Sequence, residues 1–427
     1  MRVLILGGSG FVGSAVAKLL SDRCNSVTAL ARDVSQPKRR MPQIDWISTD
    51  IAKLLTPEAW LPLLKDIDAV VNCAGALQDS ARDNVAALQY DAMRALYEAA
   101  ARLNTKLIVQ ISARAYGNAA DLPFLSTKQA ADKALKACGA PFVVLKPAVI
   151  IGRTAYGGSA LLRALAAFPL VTPLVHADAQ MQFAALDDVT AAVADALAGR
   201  IEPGSDLDLA APETLSLSEA VAIHRLWLGL PPGPFIAVPA FAARAVASVA
   251  DLLGRLGWRS PLRSTALDVA AAGVSGHPAL PDRQLKSLSE TLADMPAGVQ
   301  ELWFARLYLL KPVIFGTLSL FWIVSGAIAL LRFGASTQHL VDAGASLIFA
   351  SALTLITSVA DIALGLGVIV RRYSGTALKG MIALSLAYLT AATFLTPGLW
   401  VDPLGPLVKV LPSIALALVA LAILDER

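Results

Sequence analysis

Along roughly the first 150 residues the apolar positions gather in short unbroken runs, and amphipathic stretches separate them. Arg2–Leu6, Ser26–Ala31, Trp46–Thr49, Ala69–Gly75, Lys106–Ser112 and Phe142–Pro147 are of strand length, and continuous apolar character suits strands covered on both faces. Between them Phe11–Leu20, Arg82–Leu103 and Ser126–Cys138 carry apolar residues at helical spacing. Strand alternating with helix predicts an α/β fold, a doubly wound parallel sheet. From about residue 309 the pattern changes. Apolar stretches at 309–331, 344–370, 376–395 and 404–424 are each long enough to cross a hydrocarbon layer of ~30 Å, which predicts an all-α four-helix transmembrane region.

The chain between these parts is mixed. Residues 151–230 read as a smaller lobe on the substrate side of the sheet. Asp187 and Asp188 open a helix there, where acids suit a cap and first turn. Pro231, Pro232 and Pro234 end the preceding helix. Ala240–Trp258 is an Ala/Val/Leu-rich helix with Arg244, Asp251 and Arg255 on one face. Three placements are open for it: over the cleft, on the bilayer surface, or packed on the lobe. The expected divisions are 1–230, a helical transition at 231–300, and 301–427.

Composition agrees with the membrane reading. Of 427 residues, 56% are hydrophobic and 16% charged, and mean hydropathy is +0.60, outside the balance of a soluble domain. A net charge of +3 is too small to suggest nucleic acid. Cys24, Cys73 and Cys138 are odd in number and widely spaced, so they read as small buried hydrophobes of a reducing compartment. The first residues form a strand and a glycine turn, not a signal peptide, so the N-terminal half is expected in the cytosol. Arg306, Lys311, Arg371, Arg372 and Lys379 fall on one side of the spans, while Arg332, His339, Asp342 and Asp402 fall on the other. That cation bias predicts cytoplasmic termini on a bacterial inner-membrane protein. Asp361 lies in mid-span, where a carboxylate is costly unless paired or protonated. Contact with a quinone or proton, and a helix–helix hydrogen bond, are both open for it. His176 has no second ligand at metal spacing, so no metal is expected.

The candidate chemistry starts at Gly7, Gly10 and Gly13, spaced three apart between the first strand and first helix. In that context glycines make a tight turn, admit a pyrophosphate to the backbone, and let helix pack on strand. The N–H groups of Phe11, Val12 and Gly13 at the helix start are then phosphate donors. About twenty residues on, where an acid usually meets a ribose hydroxyl, stands Arg32, suited to a 2′-phosphate. NADP(H) is therefore expected; the adjacent Asp33 leaves NAD(H) open, and a solvated charge is the alternative for Arg32. Asp50 is placed to accept from the adenine amine, and Ala74 and Gly75 end the fourth strand in a loop small enough for a cofactor to lie over.

These segments resemble the short-chain dehydrogenase/reductase superfamily, in its extended and atypical branches. The likeness rests on GGSGFVG at 7–13, NCAG at 72–75, ISA at 111–113, STK at 126–128 and LKPAVIIG at 145–152, within roughly the first 230 residues. It implies a Rossmann domain that binds a nicotinamide nucleotide, with Pro147 near the cofactor. In that family a Ser follows the fifth strand and a Tyr precedes a Lys by four positions. Ser112 and Lys128 match, but Phe124 stands where the Tyr should be, and a phenyl ring carries no proton. Tyr116, four residues after Ser112, is the candidate substitute. The nucleotide half is also similar to the Rossmann-like accessory subunit of respiratory complex I, which binds NADPH without known turnover. The membrane half, introduced by ELWFARLYLLKP at 301–312, resembles the DoxX-like four-helix domain. Together these imply an oxidoreductase acting on a lipophilic carbonyl or quinone, or a non-catalytic NADPH-binding part of a membrane protein complex.

Overall fold

The computed structural model describes residues 1–23, 25–80, 83–114, 121–274, 276 and 283–425. Cys24, Arg82 and Tyr116 fall outside them. The N-terminal sheet has seven parallel strands: β1 (Arg2–Leu6), β2 (Ser26–Ala31), β3 (Asp45–Ser48), β4 (Ala69–Asn72), β5 (Leu107–Ile111), β6 (Phe142–Pro147) and β7 (Asp206–Leu209). Their order is β7-β6-β5-β4-β1-β2-β3, so the chain reverses direction beside β1. Ligands bind such sheets at that crossover, beyond the carboxyl ends of the strands. The first six strands fall where the apolar runs lie. β7 has the sequence DLDL, whose polar–apolar alternation fits an edge strand paired with β6 alone.

Each face of the sheet has its own core. Val3, Ile5, Val109 and Val143 pack on one side with Val16, Ala17 and Leu20 of the first helix and Val189 and Val193 of the Leu186–Leu197 helix. Leu4, Leu6, Val70 and Ile108 pack on the other with Trp60, Leu96, Tyr97 and Leu135. A smaller lobe is built on Ile151, Phe183, Leu217, Leu288 and Leu292. Asp188, at 1% exposure, accepts from Arg283 Nη2 at 2.6 Å and from the Lys286 N–H at 3.0 Å, so this first-turn acid ties residues 283–286 to the helix that packs on the sheet. His224 is fully buried with Nδ1 2.8 Å from Ala220 O, a packed residue. This unit comprises Met1–Asp251 and Ser260–Ala305.

The second unit comprises Leu252–Arg259 and Arg306–Arg427. Three helices, Val299–Leu331, Leu347–Ile369 and Arg371–Leu395, are long and apolar enough to cross a membrane. The fourth expected span is helical only over Val410–Ala422. Its 13 residues reach about 20 Å, because Pro403, Gly405 and Pro406 turn the chain ahead of it. The expected loop at 332–343 is instead largely a helix, Phe333–Asp342. Leu424 O, past the end of the last helix, accepts from Lys311 Nζ at 3.3 Å and from Arg371 Nη2 at 3.1 Å. The last helix therefore returns to the end of the bundle that carries Lys311 and Arg371.

Candidate functional site

The site begins where β1 stops. Gly7 has φ +68°, a left-handed turn that glycine adopts without strain, and Gly10 N–H closes the turn on Gly7 O at 2.8 Å. A Cβ on Gly13 would stand 2.2 Å from Gly7 O, so only glycine lets the first helix, Phe11–Asp22, approach the strand so closely. That helix starts at Gly10 with no side-chain cap, and its first intrahelical acceptor, Gly10 O, is taken by Ser14 N–H. The N–H groups of Phe11, Val12 and Gly13 are thus left at an uncapped helix start, the donor set an anion needs. Gly8 belongs with them. A Cβ there would lie 2.6 Å from Ala29 Cβ, and the GG doublet is its only signal in the sequence.

Next to this turn, β4 ends in a buried polar network. Asn72 Oδ1 accepts from Ala74 N–H at 2.9 Å, Asn72 Nδ2 donates to Gln110 Oε1 at 2.8 Å, and Tyr97 OH donates to the same oxygen at 3.0 Å. This shapes the Ala74–Gly75 loop. Gln89, buried in a π-turn at Ala87–Asp91, accepts from Ala76 N–H at 3.2 Å and donates to Thr127 Oγ1 at 2.9 Å. A π-turn often marks a functional position, but no sequence pattern announces one. A Cβ on Gly75 would sit 3.0 Å from Gln89 Oε1 and 3.6 Å from Lys128 Nζ. The loop thus adjoins Gly7 at the turn and Lys128 on the other side.

Lys128 lies on the Pro123–Ala137 helix and is 7% exposed. Its Nζ donates to Ile111 O at 2.8 Å. Burial lowers its ammonium pKa, and the charge of Asp132 opposes the shift. Ser112 Oγ donates to Asp132 Oδ2 at 2.5 Å, and Asp132 Oδ1 is buried without a partner. Burial pushes the Asp132 carboxyl above the ordinary carboxylate range, against the pull of Ser112 and Lys128. Sequence reading missed Asp132, although its place four residues after Lys128 puts both on one helix face. Phe124, one turn before Lys128, is half-buried and offers its backbone oxygen to Gln89 Nε2 at 3.2 Å. Ser112, Lys128 and Asp132 are brought together, with Phe124 one turn away; Tyr116 lies outside the described residues.

The remaining candidates are spread along the sheet. Arg32, after β2, pairs with Asp83 Oδ1 at 2.8 Å and is 43% exposed. Asp33 accepts from Ser35 N–H at 2.9 Å and Ser35 Oγ at 2.6 Å. Those bonds hold its carboxyl below the usual range and turn the chain into the short Ser35–Arg40 helix. Asp50 follows β3 and accepts from Ala52 N–H at 3.3 Å. Pro147 ends β6 opposite Leu209. Among the described residues no cluster of His, Cys, Asp and Glu could hold a metal.

Residues 3–202 match the NAD dependent epimerase/dehydratase family, and residues 319–418 match a DoxX-like family. A curated relative, an uncharacterized sugar epimerase (YhfK) of Bacillus subtilis, is 27% identical over 154 residues, which are 34% of this chain and 71% of the relative. Among solved structures, UDP-glucuronic acid 4-epimerase of Bacillus cereus in complex with NAD aligns at 16% identity and TM-score 0.49, over 72% of this chain and all (100%) of that one. The Bordetella bronchiseptica enzyme WbmH in complex with NAD+ aligns at 19% identity and TM-score 0.48, over 64% and 96% of the two chains. With its parallel sheet, its glycine turn and its apolar helices, the chain joins an NAD dependent epimerase/dehydratase-type Rossmann domain to a DoxX-like membrane domain.

Proposed function

We propose that the protein is a membrane-anchored nicotinamide-nucleotide oxidoreductase whose substrate is a lipophilic, quinone- or carbonyl-type molecule. The observation that carries this reading is the cradle of Gly7, Gly13, Gly75 and buried Lys128 beside an uncapped helix start. Phe11, Val12 and Gly13 N–H groups would hold the phosphates, and Lys128 the nicotinamide ribose. Bound there, the nucleotide would supply a hydride; this chain's residues bind, orient and exclude water. NADP(H) is favoured over NAD(H) because Arg32 follows β2, where a 2′-phosphate would be met, while Asp33 is engaged by Ser35.

One observation favours a second reading, a non-catalytic nucleotide-binding module of a membrane assembly. Phe124 has no transferable proton, and the Ser112 proton is committed to Asp132. A quinone-type acceptor escapes this objection, since it takes its proton from water; a carbonyl does not. The test is oxidation of NADPH by the purified full-length protein in lipid nanodiscs, with a short-chain quinone and an aldehyde as acceptors. Turnover with the quinone supports the first reading. Tight binding without turnover of either acceptor supports the second.

The nucleotide domain and the C-terminus are assigned to the cytoplasmic side of a bacterial inner membrane. The support is the cation bias of Lys311, Arg371 and Arg372 together with the return of the last helix to that end of the bundle. Single cysteines at 375, 336 and 402 test it with an impermeant maleimide: 375 should be protected in intact cells, and the other two labelled.

A further inference from the structure

The helix Ala240–Arg255 is built the wrong way round for water. Its buried side is Ala243, Ala247 and Ala250, and its large apolar side chains point outward. Phe241 is 77% exposed, Val249 60%, Leu252 58% and Val246 55%. At roughly 100° per residue, Phe241, Leu252 and Val249 share one face, with Val246 toward its far edge. Exposed Arg244 and Arg255 border the face on the other side. The strand just before it, Phe235–Ala237, exposes Phe235 and Ile236 as well. A contiguous apolar face of this kind marks an interaction surface.

The residues immediately after the helix point to its occupant. Leu252–Arg259 belongs to the membrane unit. There the Trp258 indole donates to Ile369 O at 2.6 Å and its ring meets Phe315 edge-on at 4.8 Å. Lys311 Nζ and the Arg371 guanidinium lie 5.9 and 5.7 Å from its centroid. Ile369 ends one apolar helix and Arg371 begins the next. Trp258 is therefore an amphipathic ring among cations at the end of two spans, the arrangement found where hydrocarbon meets headgroups.

We propose that Ala240–Arg255 is an interfacial helix, lying in the plane of the bilayer surface with Phe241, Val249 and Leu252 in the acyl boundary and Arg244 and Arg255 among anionic headgroups. A helix with this division of faces binds lipid through buried apolar area plus attraction to anionic headgroups. The assignment rests on the membrane reading and is independent of whether the nucleotide site turns over.

The wild-type protein, reconstituted in vesicles of mixed zwitterionic and anionic phospholipid, is photolysed with a lipid carrying a diazirine near the top of its acyl chain. Adducts are expected on the 240–255 peptide at Phe241, Val249 and Leu252. Labelling of the three spans without any on this peptide overturns the proposal. Nitroxides at 241, 249 and 252 supply the second measurement. They should be several-fold more accessible to oxygen than to a polar nickel complex, with the opposite ratio at 244. Nickel accessibility at 249 equal to that at 244 means a water-facing helix. Shielding from both reagents means a second copy or a cleft-covering role. Either result refutes lipid as the occupant.

Discussion

At the β1 turn the limiting contacts are backbone against backbone. A Cβ on Gly13 meets a carbonyl oxygen at 2.2 Å, and one on Gly7 meets the Ala74 backbone at 3.0 Å, so neither neighbour can rotate away. At the start of the Pro123–Ala137 helix the comparable constraint is one side-chain atom. Replacing a phenol by the phenyl of Phe124 leaves the helix, its packing and the Lys128–Ile111 hydrogen bond in place. On the proposed reading the first region would bind by shape, while chemistry at the second would turn on a single proton. A chain can therefore keep nucleotide binding while its chemistry changes. The steric region tolerates almost no substitution, whereas the chemical region changes function without changing fold.

The largest expected effect tests the steric side. Gly13→Val should abolish nucleotide binding and destabilise the N-terminal domain by about 3 kcal/mol or more, since overpacking against rigid backbone exceeds the usual range. Calorimetric titration with NADPH and NADH and thermal unfolding in detergent check it. Binding that survives would mean the turn can open. Next in size is the chemical side. Phe124→Tyr restores a general acid one turn before Lys128, and positioned acids contribute roughly 10²–10⁴-fold. Aldehyde reduction by NADPH should rise toward that range with the unfolding temperature unchanged. Equal and efficient reduction by wild type and variant would show that another group, such as Tyr116, already supplies the proton; Tyr116→Phe would then abolish it.

A smaller effect is expected at Arg32. Its guanidinium is shared with Asp83, so Arg32→Ala should weaken NADPH binding by about 1.5–3 kcal/mol, the range for a hydrogen bond to a charged group, and leave NADH nearly unchanged. Parallel titrations of the two nucleotides decide it. Equal wild-type affinities would remove the 2′-phosphate argument.

The legibility of the sequence divides along the same line. Glycine positions and strand runs encode sterics directly, so Gly7, Gly13, the first six strands and the three long apolar helices are legible. The edge strand Asp206–Leu209 is not, because four alternating residues are too few for periodicity to register. The last span is shorter than its apolar count suggests, because Pro403 and Pro406 stop the helix. Gln89 and Asp83 are invisible because their roles depend on partners distant in sequence. Asp132 is visible in principle. Its spacing from Lys128 is one helical turn, but an acid on a helix reads as a solvated face until burial is known.

Asp132 gives the finest test of what separates the two regions, since it adjusts charge at the reactive end without altering shape. Its carboxyl is buried with Oδ1 unpartnered, and burial raises its pKa. Over the window from the ordinary carboxylate range upward to that raised value, the folded state holds a proton that the unfolded chain releases. Stability therefore falls as pH rises through the window, and the contribution is complete only below it. Asp132→Asn removes this dependence while keeping the size and an acceptor for Ser112. Relative to wild type, the variant should gain stability as pH rises from the ordinary carboxylate range through the raised value, and differ least below that range. Lys128 loses its nearest counter-charge in the same variant, so its ammonium deprotonates earlier. NADPH affinity should then begin to fall at lower pH than in the wild type. Unfolding temperatures through the carboxylate window, and NADPH titrations carried on into the alkaline range where an ammonium deprotonates, are the measurements. A stability difference flat with pH would mean that Asp132 ionises as in water. An unshifted affinity profile would mean that Lys128 holds its proton without Asp132, which would leave the carboxylate as a packing group behind Ser112.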